Sequence, residues 1–182
     1  MRKVLMMLVM AAGLAACGGG GGSEASTAPA PAPIVDNTPV TPVQNTMTAL
    51  TVVGTSASDA AGVAPISPTV NGGAFTVKWS ASKPVDIQVV SFFISPDDTL
   101  SDTDILFFKR KCGGVLGCAS AENVSDCSFA NSGKIACAGG DVDGASLTTF
   151  LTTIPRDGFL IARTCDISGF TCDVKKAPVQ FQ

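Results

Sequence analysis

Carboxylates are plentiful among the side chains of this chain that could hold an ion or perform acid–base chemistry, whereas histidine is absent from its 182 residues. Without histidine, neither a Ser-His-Asp nor a Cys-His catalytic arrangement can form, and no metal can be ligated by imidazole. The aspartates gather in one short segment that contains Asp97, Asp98, Asp102 and Asp104. Carboxylate oxygens are ligands that Ca²⁺ prefers, so these four residues are the candidate metal ligands.

Turn formation is the stronger explanation for this acidic segment. It lacks the glycine and the terminal glutamate of the twelve-residue EF-hand loop, and a second acidic segment at residues 141–144 lacks the glutamate too. Aspartate is also frequent in turns because its side chain bonds to the nearby backbone. We therefore expect aspartate-capped turns and no cofactor, with Ca²⁺ as the ion that the four aspartates would hold if they held one.

Catalytic motifs are otherwise sparse. The segment 80–83 reads Ser-Ala-Ser-Lys and matches S-x-x-K, which supplies a nucleophile and a base in penicillin-recognising enzymes. That motif begins a helix, whereas here it ends a predicted strand just before Pro84, and the companion S-D-N and K-T-G elements are missing. A chance match is the better interpretation. A hydrolase that works through paired carboxylates, or an accessory subunit of an envelope enzyme, is the alternative to a non-catalytic domain.

Six of the seven cysteines lie in the C-terminal half of the chain, and their spacing favours disulfides over a metal site. These are Cys112, Cys118, Cys127, Cys137, Cys165 and Cys172. Zinc sites usually contain C-x₂₋₄-C pairs, whereas the closest pair here has five intervening residues. An even number of cysteines in an oxidising compartment favours three disulfides.

Turn geometry predicts which cysteines pair. Residues 131–133 read Asn-Ser-Gly, a good three-residue hairpin loop that would set Cys127 opposite Cys137. A two-residue turn at 168–169 would likewise set Cys165 opposite Cys172. Directly opposed residues are close enough to be cross-linked. The predicted disulfides are therefore Cys127–Cys137, Cys165–Cys172 and, from the remaining pair, Cys112–Cys118.

The carboxylates and cysteines must be positioned by short segments in which apolar and polar residues alternate. Phe75, Val77 and Trp79 alternate with polar residues, which is typical of a half-buried strand. Further strands are expected near residues 48–53, 85–95, 105–109, 147–154, 159–165 and 170–181. Glycine, proline and aspartate separate them, and beyond residue 17 no segment has a helical apolar period. The pattern predicts an all-β fold: a single antiparallel Ig-like β-sandwich of about seven strands, with residues 112–137 as a disulfide-stapled excursion.

The N-terminus carries a targeting signal. Arg2 and Lys3 precede an apolar run over residues 4–14, which is too short to span a bilayer, and residues 14–17 read Leu-Ala-Ala-Cys. This arrangement resembles the lipobox of bacterial lipoproteins. The resemblance implies cleavage before Cys17, lipidation of Cys17 and tethering to a membrane. Because Gly18 rather than aspartate follows, it also implies localisation to the outer membrane of the cell envelope.

Composition divides the remainder of the chain. Residues 18–22 are all glycine, and five prolines lie within residues 23–42. Such a segment has too few apolar side chains to build a core and is expected to be a disordered linker. The predicted organisation is a signal peptide at 1–16, a lipidated Gly/Pro-rich linker at 17–46 and the β-sandwich domain at 47–182.

A second resemblance concerns residues 92–106, which read Phe-Phe-Ile-Ser-Pro-Asp-Asp-Thr-Leu-Ser-Asp-Thr-Asp-Ile-Leu. This stretch resembles the strand–acidic loop–strand segment of adhesion-related Ig-like domains of the CARDB group, which are close to fibronectin type III. Many members have a tyrosine near the position of Phe92 and Phe93, whereas this chain contains none. The resemblance implies a spacer or binding module rather than an enzyme.

The charge excludes some partners. Without the predicted signal peptide, which contains Arg2 and Lys3, the chain has 10 basic and 15 acidic side chains and a net charge of −5. This charge argues against nucleic acid and against an anionic lipid surface, since both require a basic patch. The sequence therefore predicts a membrane-anchored, non-catalytic binding or structural module, acting in adhesion or envelope scaffolding. Its membrane contact would be the N-terminal lipid anchor, and its ligand an unidentified protein or glycan.

Overall fold

The computed structural model describes residues 46–112, 118, 120–166 and 171–182. These residues belong to one compact unit, Thr41–Gln182. They form ten strands: β1 Met47–Val53, β2 Ala64–Ile66, β3 Ala74–Ala81, β4 Ile87–Ser95, β5 Ile105–Lys111, β6 Asn123–Phe129, β7 Lys134–Cys137, β8 Ala145–Ser146, β9 Arg156–Asp166 and β10 Cys172–Phe181. Within the described ranges, no helix is long and apolar enough to cross a membrane.

The strands form two five-stranded sheets. The first has the order β1-β3-β6-β7-β8, and the second has the order β2-β10-β9-β4-β5. Pairing is antiparallel throughout, except that β2 runs parallel to β10. The predicted all-β sandwich is therefore confirmed, with the short strands β2 and β8 among those that the sequence pattern did not indicate.

The apolar residues that alternate along the strands face inward and form the core between the two sheets. Phe75, Val77 and Trp79 on β3 are 3%, 0% and 2% exposed, as the period of two predicts. Aromatic contacts then join the elements: the Phe92 ring stacks on that of Phe108 at 4.7 Å on the second sheet. Phe129 of the first sheet meets Phe181 of the second edge-to-face at 5.3 Å, so one aromatic pair bridges the layers.

One lateral side of the sandwich is closed by the loop between β7 and β8. The backbone N–H of Asp141 donates to the carbonyl of Lys109 at 2.6 Å, and its carboxylate accepts the N–H of Lys111 at 3.1 Å. Both bonds fall on β5, the edge strand of the second sheet. Asp141 therefore satisfies backbone groups that an edge strand would otherwise leave to solvent or to another chain.

The structure contains three disulfides, Cys112–Cys118, Cys127–Cys137 and Cys165–Cys172. They agree with the predicted pairing, in which Cys127–Cys137 and Cys165–Cys172 came from hairpin geometry and Cys112–Cys118 was the pair that remained. Cys127 lies opposite Cys137, and Gly133 in the connecting turn has a φ of +78°, the left-handed value that this loop requires. Cys165 likewise lies opposite Cys172. The turn predicted at residues 168–169 lies outside the described residues.

Two expectations about strands were wrong. Residues 112–137 are not simply an excursion, because β6 lies centrally in the first sheet and pairs with both β3 and β7. Ile135 and Phe129 are 0% and 2% exposed, so this region contributes to the core. Residues 147–154 form no strand; their alternating pattern instead places Leu147 in the core and Phe150 at its margin, in a loop.

Candidate functional site

The acidic segment forms the loop 96–104 between β4 and β5, and this loop crosses the outer face of the second sheet. Phe93 and Ile161 lie opposite each other on that face, since their neighbours along β4 and β9 point into the core. Their exposed fractions are nevertheless only 8% and 0%. Beyond them, Asp98 of the loop pairs with Lys176 on β10. The loop therefore reaches across β9 from β4 to β10.

The four aspartates of this loop do not converge on a cation site. Asp97 Oδ1 accepts the backbone N–H of Thr99 at 2.9 Å, and Asp104 Oδ2 accepts that of Ser101 at 2.8 Å. Asp98 is bonded to Lys176, and no cluster of three or more potential metal ligands occurs among the described residues. The calcium assignment of Asp97, Asp98, Asp102 and Asp104 is accordingly not supported. Local turn bonding explains why aspartate is used here.

The ion pair between Asp98 and Lys176 tethers the tip of the loop. The ammonium group of Lys176 donates to both the carboxylate and the backbone carbonyl of Asp98. The hydrogen bond and the positive charge of Lys176 lower the pKa of Asp98 below its ordinary value. Because both side chains are solvent-exposed, the pair positions the loop without adding much stability.

A pocket of about 400 Å³, the Arg163 pocket, lies beside the loop on the outer face. Its lining residues are Phe93, Leu100, Ser101, Asp102, Asp104, Leu106 and Arg163. The guanidinium carbon of Arg163 lies 5.2 Å from the centroid of the Phe93 ring, a cation–π geometry. The pocket therefore combines an apolar wall with one cation and two carboxylates.

Two buried polar atoms in the Arg163 pocket lack partners. Arg163 Nε, a donor, and Asp104 Oδ1, an acceptor, have no hydrogen-bond partner within the described part of the chain. Buried polar atoms are nearly always satisfied by protein or water, and each one left unpaired carries a penalty of about 1–3 kcal/mol. This pocket therefore offers one free donor and one free acceptor to a group that can both accept and donate hydrogen bonds.

A second pocket, the Arg156 pocket, has a volume of about 280 Å³ and lies on the other side of the loop. Its lining residues are Ile94, Pro96, Thr103, Ile105, Thr149, Phe150, Thr152 and Arg156. The guanidinium carbon of Arg156 lies 5.2 Å from the centroid of the Phe150 ring. No carboxylate lines this pocket, so its charge is that of the arginine.

Strand geometry explains why the two arginines serve different pockets. Both belong to β9 and are seven residues apart, and an odd separation places side chains on opposite faces of a strand. Arg163 therefore lies on the outer face with Phe93, whereas Arg156 shares the inner face with Gly158 and Leu160. In the described ranges, no salt bridge joins either arginine to a carboxylate.

Sequence reasoning did not identify either arginine. A signal was available for Arg163, which is the one charged residue within residues 158–165 of β9, because a charge in an apolar strand is unusual unless it has a role or a partner. Arg156 is followed directly by Asp157 at the start of the strand and gives no such signal. The sequence-predicted S-x-x-K match has a structural explanation. Ser80 lies near the end of β3 at Ala81, Ser82 Oγ accepts the backbone N–H of Thr46 at 3.0 Å, and the motif is followed by a three-residue 3₁₀ helix, Pro84–Asp86, rather than by the helix that the enzyme motif begins.

These features define a class: a disulfide-bridged, two-sheet β-sandwich with open pockets around one loop of its second sheet. A comparison with family models finds no match, and a comparison with curated proteins finds none either. Among solved structures, the chain is similar to a Niemann-Pick type C2 protein from the Japanese carpenter ant. The identity is 13%, the TM-score is 0.39, and the alignment covers 76% of this chain and 93% of the other. A likeness at this level carries no information about ligand or site.

The family predicted from the sequence was wrong. No family model matches the chain, so none supports a lipoprotein with a CARDB or fibronectin type III-related domain, and the similar solved structure reported above is described as a Niemann-Pick type C2 protein. In the stretch 92–106, local turn bonds account for Asp97 and Asp104 without such a relationship. Cys17, where cleavage and lipidation were predicted, lies outside the described residues, as do the predicted signal peptide and most of the predicted linker.

Proposed function

We propose that this domain is a non-catalytic binding module and that its Arg163 pocket holds a hydroxyl-bearing ligand, such as the end of a glycan. The observation that carries the proposal is the convergence of an unpaired guanidinium, two carboxylates and an apolar wall on one pocket of about 400 Å³. Binding pockets typically combine apolar walls with a few convergent polar groups in this way.

A sugar hydroxyl suits this combination because it is both a donor and an acceptor. It can donate to Asp102 or Asp104 while it accepts from the guanidinium of Arg163, and adjacent hydroxyls can share these partners. The apolar side of a sugar ring can then pack against Leu100 and Leu106, which line the same pocket. Absence of histidine from the chain supports binding over catalysis, since it removes the commonest general base.

We further propose that the module works at the cell envelope, in an oxidising compartment. The support is three disulfides in one small domain, which is the usage typical of exported proteins. Recognition of an external glycan would suit a role in adhesion, and recognition of an envelope glycan would suit scaffolding.

The test is titration of the purified, disulfide-intact protein with a panel of neutral monosaccharides and short oligosaccharides, followed by isothermal titration calorimetry. A small exposed pocket is expected to bind a monosaccharide with a Kd of about 1 mM, or about −4 kcal/mol. Arg163→Gln is expected to weaken the best ligand at least tenfold, about 1.4 kcal/mol, because the charged donor is lost.

Arg156→Gln is the matched control, since it removes an arginine that also lies over a phenylalanine ring on the same strand. This control is expected to bind the sugar as the unchanged protein does, and thermal unfolding checks that both variants fold. Equal loss in both variants, or no binding of any sugar, would contradict the assignment. Release of a reducing end from an oligosaccharide would overturn the non-catalytic part and favour a carboxylate-based hydrolase.

A further inference from the structure

The Arg156 pocket has a different composition from the Arg163 pocket, and it supports a conclusion independent of the proposed function. Its charged group is the guanidinium of Arg156, whereas two carboxylates line the Arg163 pocket. Arg156 forms no salt bridge within the described residues, and its Nε atom is buried without a hydrogen-bond partner. The pocket therefore contains one positive charge that no carboxylate of the described residues pairs with.

Two threonine hydroxyls line the same pocket as the guanidinium of Arg156. Thr149 and Thr152 line the pocket, and neither side chain is engaged in a hydrogen bond with the rest of the described chain. A guanidinium binds a carboxylate through two parallel N–H donors, and neighbouring hydroxyls can supply further bonds to the same anion. These groups match a carboxylate better than they match a cation or a neutral amide.

The remainder of the lining is apolar. Ile94 is fully buried at the base, while Ile105 and Phe150 are partly buried beside it. The volume of about 280 Å³ is just below the range of roughly 300–1,000 Å³ that is typical of drug-sized ligands. The pocket therefore fits a ligand with one ring or a short branched chain attached to its charged group.

The aromatic wall is held in place by the core. The Phe150 ring meets Phe181 edge-to-face at 5.8 Å, and Phe181 is fully buried. Gly158 lies beneath the ring, where a Cβ atom would stand 2.8 Å from Phe150 Cζ. The absence of a side chain at this position lets Phe150 settle against Arg156, so ring and guanidinium are ordered together before a ligand arrives.

We infer that the Arg156 pocket is a binding site for a small organic carboxylate with an apolar body. The carboxylate lies against the guanidinium of Arg156 and the hydroxyls of Thr149 and Thr152. The apolar body occupies the space between Ile94 and Ile105 and the ring of Phe150. Binding requires no bond to form or break, and it needs no metal.

The test compares four probes by two-dimensional NMR of the ¹⁵N-labelled, disulfide-intact protein. Benzoate and phenylacetate carry both features of the ligand, benzamide keeps the ring without the charge, and acetate keeps the charge without the body. Benzoate or phenylacetate is expected to shift the Arg156 Nε–Hε signal and the amides of Thr149 and Thr152. Benzamide and acetate are each expected to bind at least tenfold more weakly.

The variants separate this site from general attraction of anions. Arg156→Gln is expected to weaken benzoate binding at least tenfold, and Arg156→Lys to recover only part of it because the bidentate geometry is lost. Arg163→Gln, the matched control, is expected to leave it unchanged.

Equal affinity for benzamide and benzoate would overturn the inference, as would equal loss in the Arg156→Gln and Arg163→Gln variants or shifts confined to other parts of the sandwich. Because sugars are the probes for the Arg163 pocket, failure of either assignment leaves the other testable.

Discussion

Gly158→Ala tests whether the sandwich is packed as tightly around Phe150 as the account requires. An added Cβ would stand 2.8 Å from Phe150 Cζ and 2.9 Å from the carbonyl oxygen of Ser95. Ordinary carbon contacts are about 3.5–4.0 Å long, so both neighbours would have to withdraw. Ser95 cannot do so freely, because it belongs to β4 and pairs with Phe159 on β9.

Overpacking of this kind destabilises a domain by about 1–3 kcal/mol, and we expect Gly158→Ala to fall in the upper half of that range. The assay is urea unfolding at equilibrium, followed by fluorescence of the single tryptophan, Trp79. Phe150→Leu should relieve part of the clash. In a double-mutant cycle, Gly158→Ala and Phe150→Leu together should cost at least about 0.5 kcal/mol less than the sum of the two single changes.

A change below about 0.5 kcal/mol for Gly158→Ala, the scatter of neutral surface substitutions, would show that the sandwich has room for a methyl group at this position. Additive single effects would show that the added methyl group does not meet Phe150. In either case the ordered aromatic wall of the Arg156 pocket would lose its support, and the affinity expected there for carboxylates would need another explanation.

Three further predictions follow from particular contacts. Mild reductant should open the disulfide Cys165–Cys172 before the disulfide Cys127–Cys137. The reason is that Cys172 is exposed, whereas Cys127 and Cys137 are both buried. Mass spectrometry of alkylated peptides checks the order of reduction. The pKa of Asp98 is lowered from 3.8, so its tether to Lys176 is complete above about pH 4 and is lost as pH falls through the folded pKa. Asp98→Asn should remove the tether at every pH and speed amide exchange in loop 96–104. Asp141→Ala should cost about 0.5–1.5 kcal/mol in urea unfolding through loss of one hydrogen bond to β5.

Local patterns in the sequence were enough to predict the β class and the disulfide pairing. Cross-strand pairing in a hairpin depends on the turn, and the turn at residues 131–133 specifies the register from Cys127 to Cys137. The alternation of Phe75, Val77 and Trp79 likewise states which face of β3 is buried. In both cases the determining residues are close together in the chain.

The position of β6 and the composition of the pockets were not predicted from the sequence, because both depend on contacts between separate segments of the chain. β6 looked peripheral because it has few apolar residues, yet it lies centrally because Phe129 and Cys127 pack against strands far away in sequence. The Arg156 pocket combines residues from four separate segments between Ile94 and Arg156. The sequence around Arg156 does not indicate that its guanidinium will lie over the ring of Phe150. The aspartates of loop 96–104 were predicted as metal ligands because they cluster in the sequence, whereas Asp97 and Asp104 bond to the backbone of their own loop.

Sugar binding in the Arg163 pocket can be tested directly by mapping amide shifts while the intact protein is titrated with the sugar that binds best in the panel. Shifts are expected to concentrate on loop 96–104 and around Arg163, to saturate with sugar, and to disappear in Arg163→Gln while the spectrum of that variant remains that of a folded protein. Shifts that are absent for every sugar, or that persist unchanged in Arg163→Gln, would contradict a binding module working through the Arg163 pocket.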